Sequence, residues 1–456
     1  MTSLFLFTRD LRLNDNTALI RCLEDSEKVL PIFIFNAVQI DHKLNKYKSD
    51  NCVQFMCESL IDLNEELEKY KSRLFLFYGN PLNIIRYIIN TGNITAVYMT
   101  QDYSPFAKSR EESILNLCNK LKIKFNIFED YSLVGINSVT KNDSTPYVKF
   151  TPYLHVAKKI KIDYITKNNH TNYVSSKTNF NKEFYGNLNN FYKPNDNIIV
   201  NGGRKHGLKI LHNIKKFDDY NNTRDIPIYE TTHLSAYLKF GCVSIREAYW
   251  TMKNNLTNKN KLFTQLFWRD FFMTILYHFP HVIGNNMKEN YHLKWNNNID
   301  DFNAWSDGST GIPFVDAGMR EMNTTGYMHN RLRLVTSNFL IKILRIDWRY
   351  GERYFASKLV DYDVANNNLN WQWSASTAID SQPYFRIFNP FRQSFKFDRD
   401  AEYIKKWIPE LKNVDPDDIH NWLSTYKNYD LSYPDPIIKD MQKEVSKTIK
   451  MYTNRK

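Results

Sequence analysis

Within the first 130 residues, short apolar runs alternate with longer amphipathic ones, and nothing else in the sequence limits the fold as much. The runs at 4–7, 29–35, 74–78, 96–99 and 125–128 are almost continuously apolar, as strands buried on both faces must be. Between them, 16–25, 49–70, 81–90 and 104–121 carry helical spacing. Asn16, Ser49 and Ser104 stand where N-caps are needed, and Pro105 suits the first helical position. Alternation of this kind implies right-handed crossovers and a doubly wound parallel sheet, Rossmann-like in architecture. No Gly-x-Gly-x-x-Gly follows the first run, so an ordinary dinucleotide site is not expected there.

From Gly202 onward the period changes to helical and stays so, at 234–237, 245–252, 262–276, 313–322 and 331–344. Residues 131–200 lack a clear period and read as a connector. A structureless segment of that length is unusual in a compact protein, so parts of it should pack. The 456 residues thus divide into an α/β domain (1–130), an interdomain connector (131–200) and a helical domain (201–456).

The formal net charge of +12 makes a polyanion a natural partner. All nine tryptophans lie between Trp250 and Trp422, so the two halves serve different purposes. Cys22, Cys52, Cys57, Cys118 and Cys242 are odd in number and form no Cys-x-x-Cys. That suits reduced thiols and no metal site. The chain opens without a basic leader, and no apolar stretch is long enough to span a bilayer. An intracellular protein with no membrane contact is expected.

Residues 361–390, DYDVANNNLNWQWSASTAIDSQPYFRIFNP, show neither helical nor strand period. The asparagine run and Pro383 read as loop or short helix, placing Trp371 and Trp373 on irregular backbone. Asp361 and Asp363, if buried, need donors or a counter-charge, and Arg333 is a candidate partner; the alternative is two solvated loop acids. Gln265 and Trp268, three apart on one helical run, share a face, as do Asn330 and Leu334, four apart.

This string resembles the flavin-binding core of the DNA photolyase and cryptochrome family. The resemblance extends to GYMHNRLRLVTSNFL (326–340), DWRYGERYF (347–355), QLFWRDFF (265–272) and FTRDLRLNDN (7–16). It implies FAD bound by Asp361, Asp363 and Arg333, with Asn367 near the flavin N5, where an amide supports the reduced cofactor without adding charge. It also implies phosphate contacts from Thr231, Thr232, His233, Leu234 and Ser235, with Tyr220 upstream. Hydroxyls and N–H groups at a helix start bind anions, although Thr-Thr-x-x-Ser alone is more often a plain cap. His233 stands where relatives often carry Arg.

Trp371, Trp348 and Trp295 match the family's electron-transfer chain from flavin to surface, while Trp305 is assigned to packing only. Trp268 matches the residue that stacks on a flipped pyrimidine pair in UV-damaged DNA, and Trp373 would close the far side. Cyclobutane-dimer enzymes usually carry Glu, Asn and Met at the places of Gln265, Asn330 and Leu334, and (6-4) enzymes Gln, His and His. The chain is mixed. Reversal of a (6-4) product needs a proton delivered with the electron, which Asn330 and Leu334 cannot supply, so the cyclobutane dimer is expected. Arg224, Arg269, Arg331, Arg386 and Gln393 match DNA-contacting positions or their neighbours, though each arginine alone could serve an internal ion pair.

A second, antenna chromophore is common in the family. The Asn-Glu expected at Pro105-Phe106 and the lysine expected near His281 are absent, so folate is not expected; a deazaflavin, another flavin and an empty site remain open. DYSPFAKSRE (102–111) lines that cleft or simply starts a helix. The chain closes soon after Trp407 without a long disordered extension, unlike many signalling cryptochromes. A monomeric repair enzyme is the expectation; the alternatives are a (6-4) enzyme and a non-repairing photoreceptor.

Overall fold

In the computed structural model, which describes residues 1–257, 260–289, 291–378 and 380–454, the first five apolar runs form five parallel strands. These are β1 (Thr2–Phe7), β2 (Lys28–Phe35), β3 (Phe75–Tyr78), β4 (Ile94–Thr100) and β5 (Lys124–Phe128), in the order β3-β2-β1-β4-β5. Alternate side chains of each strand go to opposite faces. Phe5, Phe7, Phe33 and Phe35 meet α1 (Thr17–Glu24) and α2 (Asp50–Glu68) on one side. Leu4, Leu6, Leu30 and Ile32 meet α3 (Pro81–Thr91) and α4 (Pro105–Leu121) on the other. Asn16, Ser49 and Ser104 each accept a backbone N–H as the expected cap.

The strand order reverses direction between β1 and β4. The crevice at their carboxyl ends is where an open α/β sheet presents functional groups. Arg9 follows β1 and Asp102 and Tyr103 follow β4, so all three sit at this point.

The connector packs, as its length requires. Val174 N donates to Val29 O at 2.9 Å, and Phe184 N donates to Leu76 O at 2.7 Å, so it covers the free edge of β3 and part of β2. It also contains helix α5 (Phe150–Ala157).

The helical part includes α6 (Leu234–Lys239), α7 (Leu262–His278), α8 (Ile299–Asp307), α9 (Asn330–Asn338), α10 (Trp348–Lys358), α11 (Val364–Ala375) and α12 (Met441–Thr453). The expectation of irregular backbone under Trp371 and Trp373 is corrected here, because both lie on α11. Asp363 caps that helix by accepting from Asn366 N, and it ends where Ser376 turns left-handed. Helix α11 escapes the periodic pattern because polar residues lie on both its buried and its open sides. Its buried positions include Ala365, Leu369, Trp371 and Ala375, together with the polar Asn368, Gln372 and Ser374, while Asn366, Asn367, Asn370 and Trp373 form its more open side, so polarity does not separate the two faces. Among the described residues, no helix is long and apolar enough to cross a membrane.

Candidate functional site

The two acids at the start of α11 serve separate partners. Asp361 receives Arg333 Nη2 at 3.1 and 3.0 Å and Ser235 Oγ at 2.7 Å, so the expected Arg333 pairing is present. Arg333 Nε also donates to Met328 O at 2.8 Å, and its guanidinium lies over the Tyr327 ring. Tyr327 in turn reaches Thr231 Oγ1 at 3.2 Å and packs edge-on against His233. Thr231, Thr232, His233, Leu234 and Ser235 therefore converge with Arg333 on one place.

His233 begins α6 with φ 51° and supplies no side-chain cap; Leu234 N has only a long contact to Thr232 Oγ1, at 3.4 Å. A weakly capped helix start ringed by hydroxyls and one arginine suits an anionic diphosphate, and in that respect the residues present fit FAD. Burial pushes the His233 imidazole below its ordinary value, so it presents a neutral ring. Tyr220 stands nearby in sequence, with the Arg224 guanidinium over its ring at 5.5 Å.

Asp363 faces the sheet instead. Arg9 Nη1 donates to its Oδ2 at 3.0 Å, Tyr103 donates its phenolic hydrogen to the same oxygen, and Oδ1 caps α11. Arg9 Nη2 binds Asp102 at 3.0 Å, and its guanidinium lies over the rings of Tyr103 and Tyr131. Although burial opposes ionisation, Arg9 and the donors hold the Asp363 carboxyl far below its usual range. The acid assigned to the cofactor thus also joins the strand-order reversal to the helical part. Sequence reasoning assigned no role to Arg9 or Tyr103, although Arg9 lies within the quoted FTRDLRLNDN motif.

Asn367, one turn into α11, donates its amide to Glu352 O at 2.9 Å and to Glu352 Oε1 at 3.2 Å. On the same helix Trp371 is buried, with its ring against Phe355 at 4.9 Å and Trp305 at 6.2 Å. Trp348 is buried and donates its indole N–H to Asn286 Oδ1 at 2.9 Å, while Trp295 is half-buried. Of the three, Trp371 and Trp348 are both buried and only Trp295 is open to solvent. Trp305, assigned to packing, is itself in edge contact with Trp371.

Trp268 and Trp373 line one small apolar cavity with Val148, Phe272, Met287 and Asp380. Phe150 of the connector stacks on Trp268 with centroids 3.4 Å apart and planes 9° apart, and Phe150 N donates to Asp380 Oδ2 at 2.8 Å. One face of Trp268 is thereby backed by the connector. Gln265 on α7 and Leu334 on α9 are half-buried, and Asn330 is exposed at the start of α9; none of the three is among the residues lining this cavity.

The DNA-contact candidates differ in what they already hold. Arg386 is exposed. Arg331 binds Asp225 at 2.7 Å and lies over Phe397. Arg224 approaches Asp225 only at 3.8 Å. Gln393 is half-buried, with an Oε1 that has no hydrogen-bond partner. Arg269 turns inward: Nη1 donates to Tyr131 O at 2.5 Å and Nη2 to Leu238 O at 3.3 Å. That geometry makes it a strut between connector and α6 and gives no support to a DNA contact.

The family description "FAD binding domain of DNA photolyase" matches residues 262–454, and "DNA photolyase" matches residues 3–170. A deoxyribodipyrimidine photo-lyase of Buchnera aphidicola is 36% identical, the match covering 96% of this chain and 94% of the relative. Among solved structures, an archaeal photolyase from Sulfolobus tokodaii with two FAD molecules is 40% identical with a TM-score of 0.89, covering 100% of both chains. A Synechocystis cryptochrome is 26% identical with a TM-score of 0.89, over 99% of each chain.

Proposed function

The chain belongs to the DNA photolyase family, and from that membership we propose its activity: it is an FAD-dependent deoxyribodipyrimidine photo-lyase that reverses cyclobutane pyrimidine dimers in DNA under blue light. The observation that carries this reading is the layout of α11. One helix presents Asn367 toward the Glu352 side, Trp371 into the aromatic core and Trp373 into the cavity shared with Trp268, so cofactor, electron path and lesion pocket meet on a single rigid element.

When bound, FAD in its reduced form supplies the electron on excitation and takes it back, so no net oxidation results. The residues do the rest. Thr231, Thr232 and Ser235 would hold its diphosphate, with Arg333 and Asp361 as further cofactor contacts. Enzymes acting on stacked bases, photolyases among the recognised examples, take them out of the duplex. Trp268, backed by Phe150, offers a flat wall to the flipped pair, and Trp373 the opposite wall. Gln265 donates to a pyrimidine carbonyl, Asn330 offers a second polar contact, and Leu334 gives an apolar one. Trp371, Trp348 and Trp295 carry electrons inward from the surface to recharge oxidised cofactor. Arg386, Arg224 and Arg331 bind phosphates, giving sequence-independent, salt-sensitive affinity for UV-damaged DNA. The enzyme acts as a monomer inside the cell. The S. tokodaii structure's second FAD makes a second flavin the first antenna chromophore to test.

One observation favours the (6-4) alternative. Asp380 brings a carboxyl to the cavity of Trp268 and Trp373, a titratable group where Asn330 and Leu334 have none. The deciding experiment uses two synthetic oligonucleotides, one with a single thymine cyclobutane dimer and one with a single (6-4) product, each with reductant in light and dark. Light-dependent repair of the dimer alone is expected, with Gln265→Glu preserving or raising it. Repair of the (6-4) product alone would reassign the lesion and make Asp380 the proton donor. Activity on neither, with FAD bound and photoreducible, would make the protein a photoreceptor.

A further inference from the structure

The hydrogen bonds behind Asn367 determine which way its carboxamide faces. A primary amide has two N–H donors and one carbonyl acceptor. Both acceptors used by the Asn367 nitrogen belong to Glu352, the backbone carbonyl at 2.9 Å and the carboxyl Oε1 at 3.2 Å. The NH2 group is therefore spent on α10, and Oδ1 is the atom left to face the other way. Glu352 is 4% exposed and is itself held in place. Tyr47 donates its hydroxyl hydrogen to the carboxyl, Arg353 stands beside both groups, and the Tyr47 ring stacks on Tyr362 with centroids 6.3 Å apart.

We propose that Glu352 is a positioning residue: by holding the Asn367 NH2 group it turns an acceptor oxygen toward the flavin, and so selects FAD whose N5 carries hydrogen over oxidised FAD. The inference rests on the reading of Asn367 as the N5 neighbour. The chemistry is elementary. N5 of oxidised isoalloxazine is only an acceptor, so a carbonyl oxygen facing it leaves two acceptors opposed. Reduced N5 bears a hydrogen, which that oxygen receives. An amide free to rotate would serve both forms equally and select neither. Burial pushes the Glu352 carboxyl up to about 7, against the pull of the Asn367 and Tyr47 donors. With or without its own proton, the carboxyl keeps a lone pair for the Asn367 N–H.

The test is an equilibrium redox titration of the purified FAD-loaded protein against a reference dye, reading the ratio of reduced to oxidised bound FAD. Glu352→Leu is expected to shift that ratio toward oxidised FAD by about fivefold, the worth of one hydrogen bond. Glu352→Gln, whose amide oxygen still accepts, should stay within about twofold of the parent. In an Asn367→Ala background the Glu352→Leu shift should vanish, because the effect runs through the carboxamide. An equal shift in both backgrounds, or none with Asn367 present, overturns the proposal. If Glu352→Leu fails to retain FAD, Tyr47→Phe serves instead. A smaller shift in the same direction that disappears with Asn367→Ala supports the proposal, and no shift overturns it. Failure of the parent protein to repair a dimer, with these shifts intact, would remove the repair function and leave the role of Glu352 standing.

Discussion

His329 illustrates how much one side chain at the start of α9 can do. Its Nδ1 accepts Arg331 N at 3.1 Å and so caps α9, while Nε2 has no partner, and the residue is 3% exposed. Burial, with Arg331 second, pushes the imidazole down to about 4. The unfolded chain therefore takes up a proton near pH 6.5 that the native state refuses until about pH 4, so stability falls as pH drops through that window. The loss from this group is on the order of 3 kcal/mol. His329→Asn keeps an N-cap acceptor but cannot titrate. Its unfolding free energy, measured by denaturant between pH 4 and 7, should fall less steeply on acidification than that of the parent. His329 lies within the quoted 326–340 motif, but its role was not legible there, because burial and an orphaned nitrogen are properties of neighbours distant along the chain.

At the scale of elements, α10 and α11 are pressed together at Gly351. A Cβ there would lie 2.1 Å from the Trp371 ring, closer than any packed contact. The helix accepts glycine for that space, against its low propensity. Gly351→Ala is expected to cost about 1–3 kcal/mol through overpacking and to displace Trp371. Denaturant unfolding should report the first effect and slowed photoreduction of bound FAD the second. The strands were legible from their continuous apolar runs and the sheet helices from their caps. Helix α11 was not, because its buried side carries Asn368, Gln372 and Ser374 while its open side carries Trp373, so polarity does not follow the helical period, and its asparagines looked like loop residues.

At the scale of the molecule, Arg9 links the strand-order reversal of the sheet to the start of α11 through Asp102 and Asp363. A second buried network does similar work nearby, where Arg12 and Arg246 share Asp130, and Arg246 also holds Asp15 at 3.0 Å. Arg9→Leu would leave two largely buried acids without their shared cation, a loss of about 3–5 kcal/mol. It should lower the denaturation midpoint and speed release of FAD, followed by flavin fluorescence. Arg9→Lys should fall between, because a lysine cannot bridge two carboxylates as a planar fork does. By itself the sequence determined the parallel sheet, the change to helices after residue 200, the net positive charge and the family, since periodicity, composition and long motifs are all local in the chain. It also suggested Arg333 as a partner for the acids at 361 and 363. Only the tertiary structure decided that Asp363 ties the start of α11 to the sheet through Arg9 and Tyr103, that Arg269 points inward, that Phe150 backs Trp268 and that Glu352 holds Asn367. Each of these depends on which side chains share a buried space, and that is settled by packing between segments far apart in sequence.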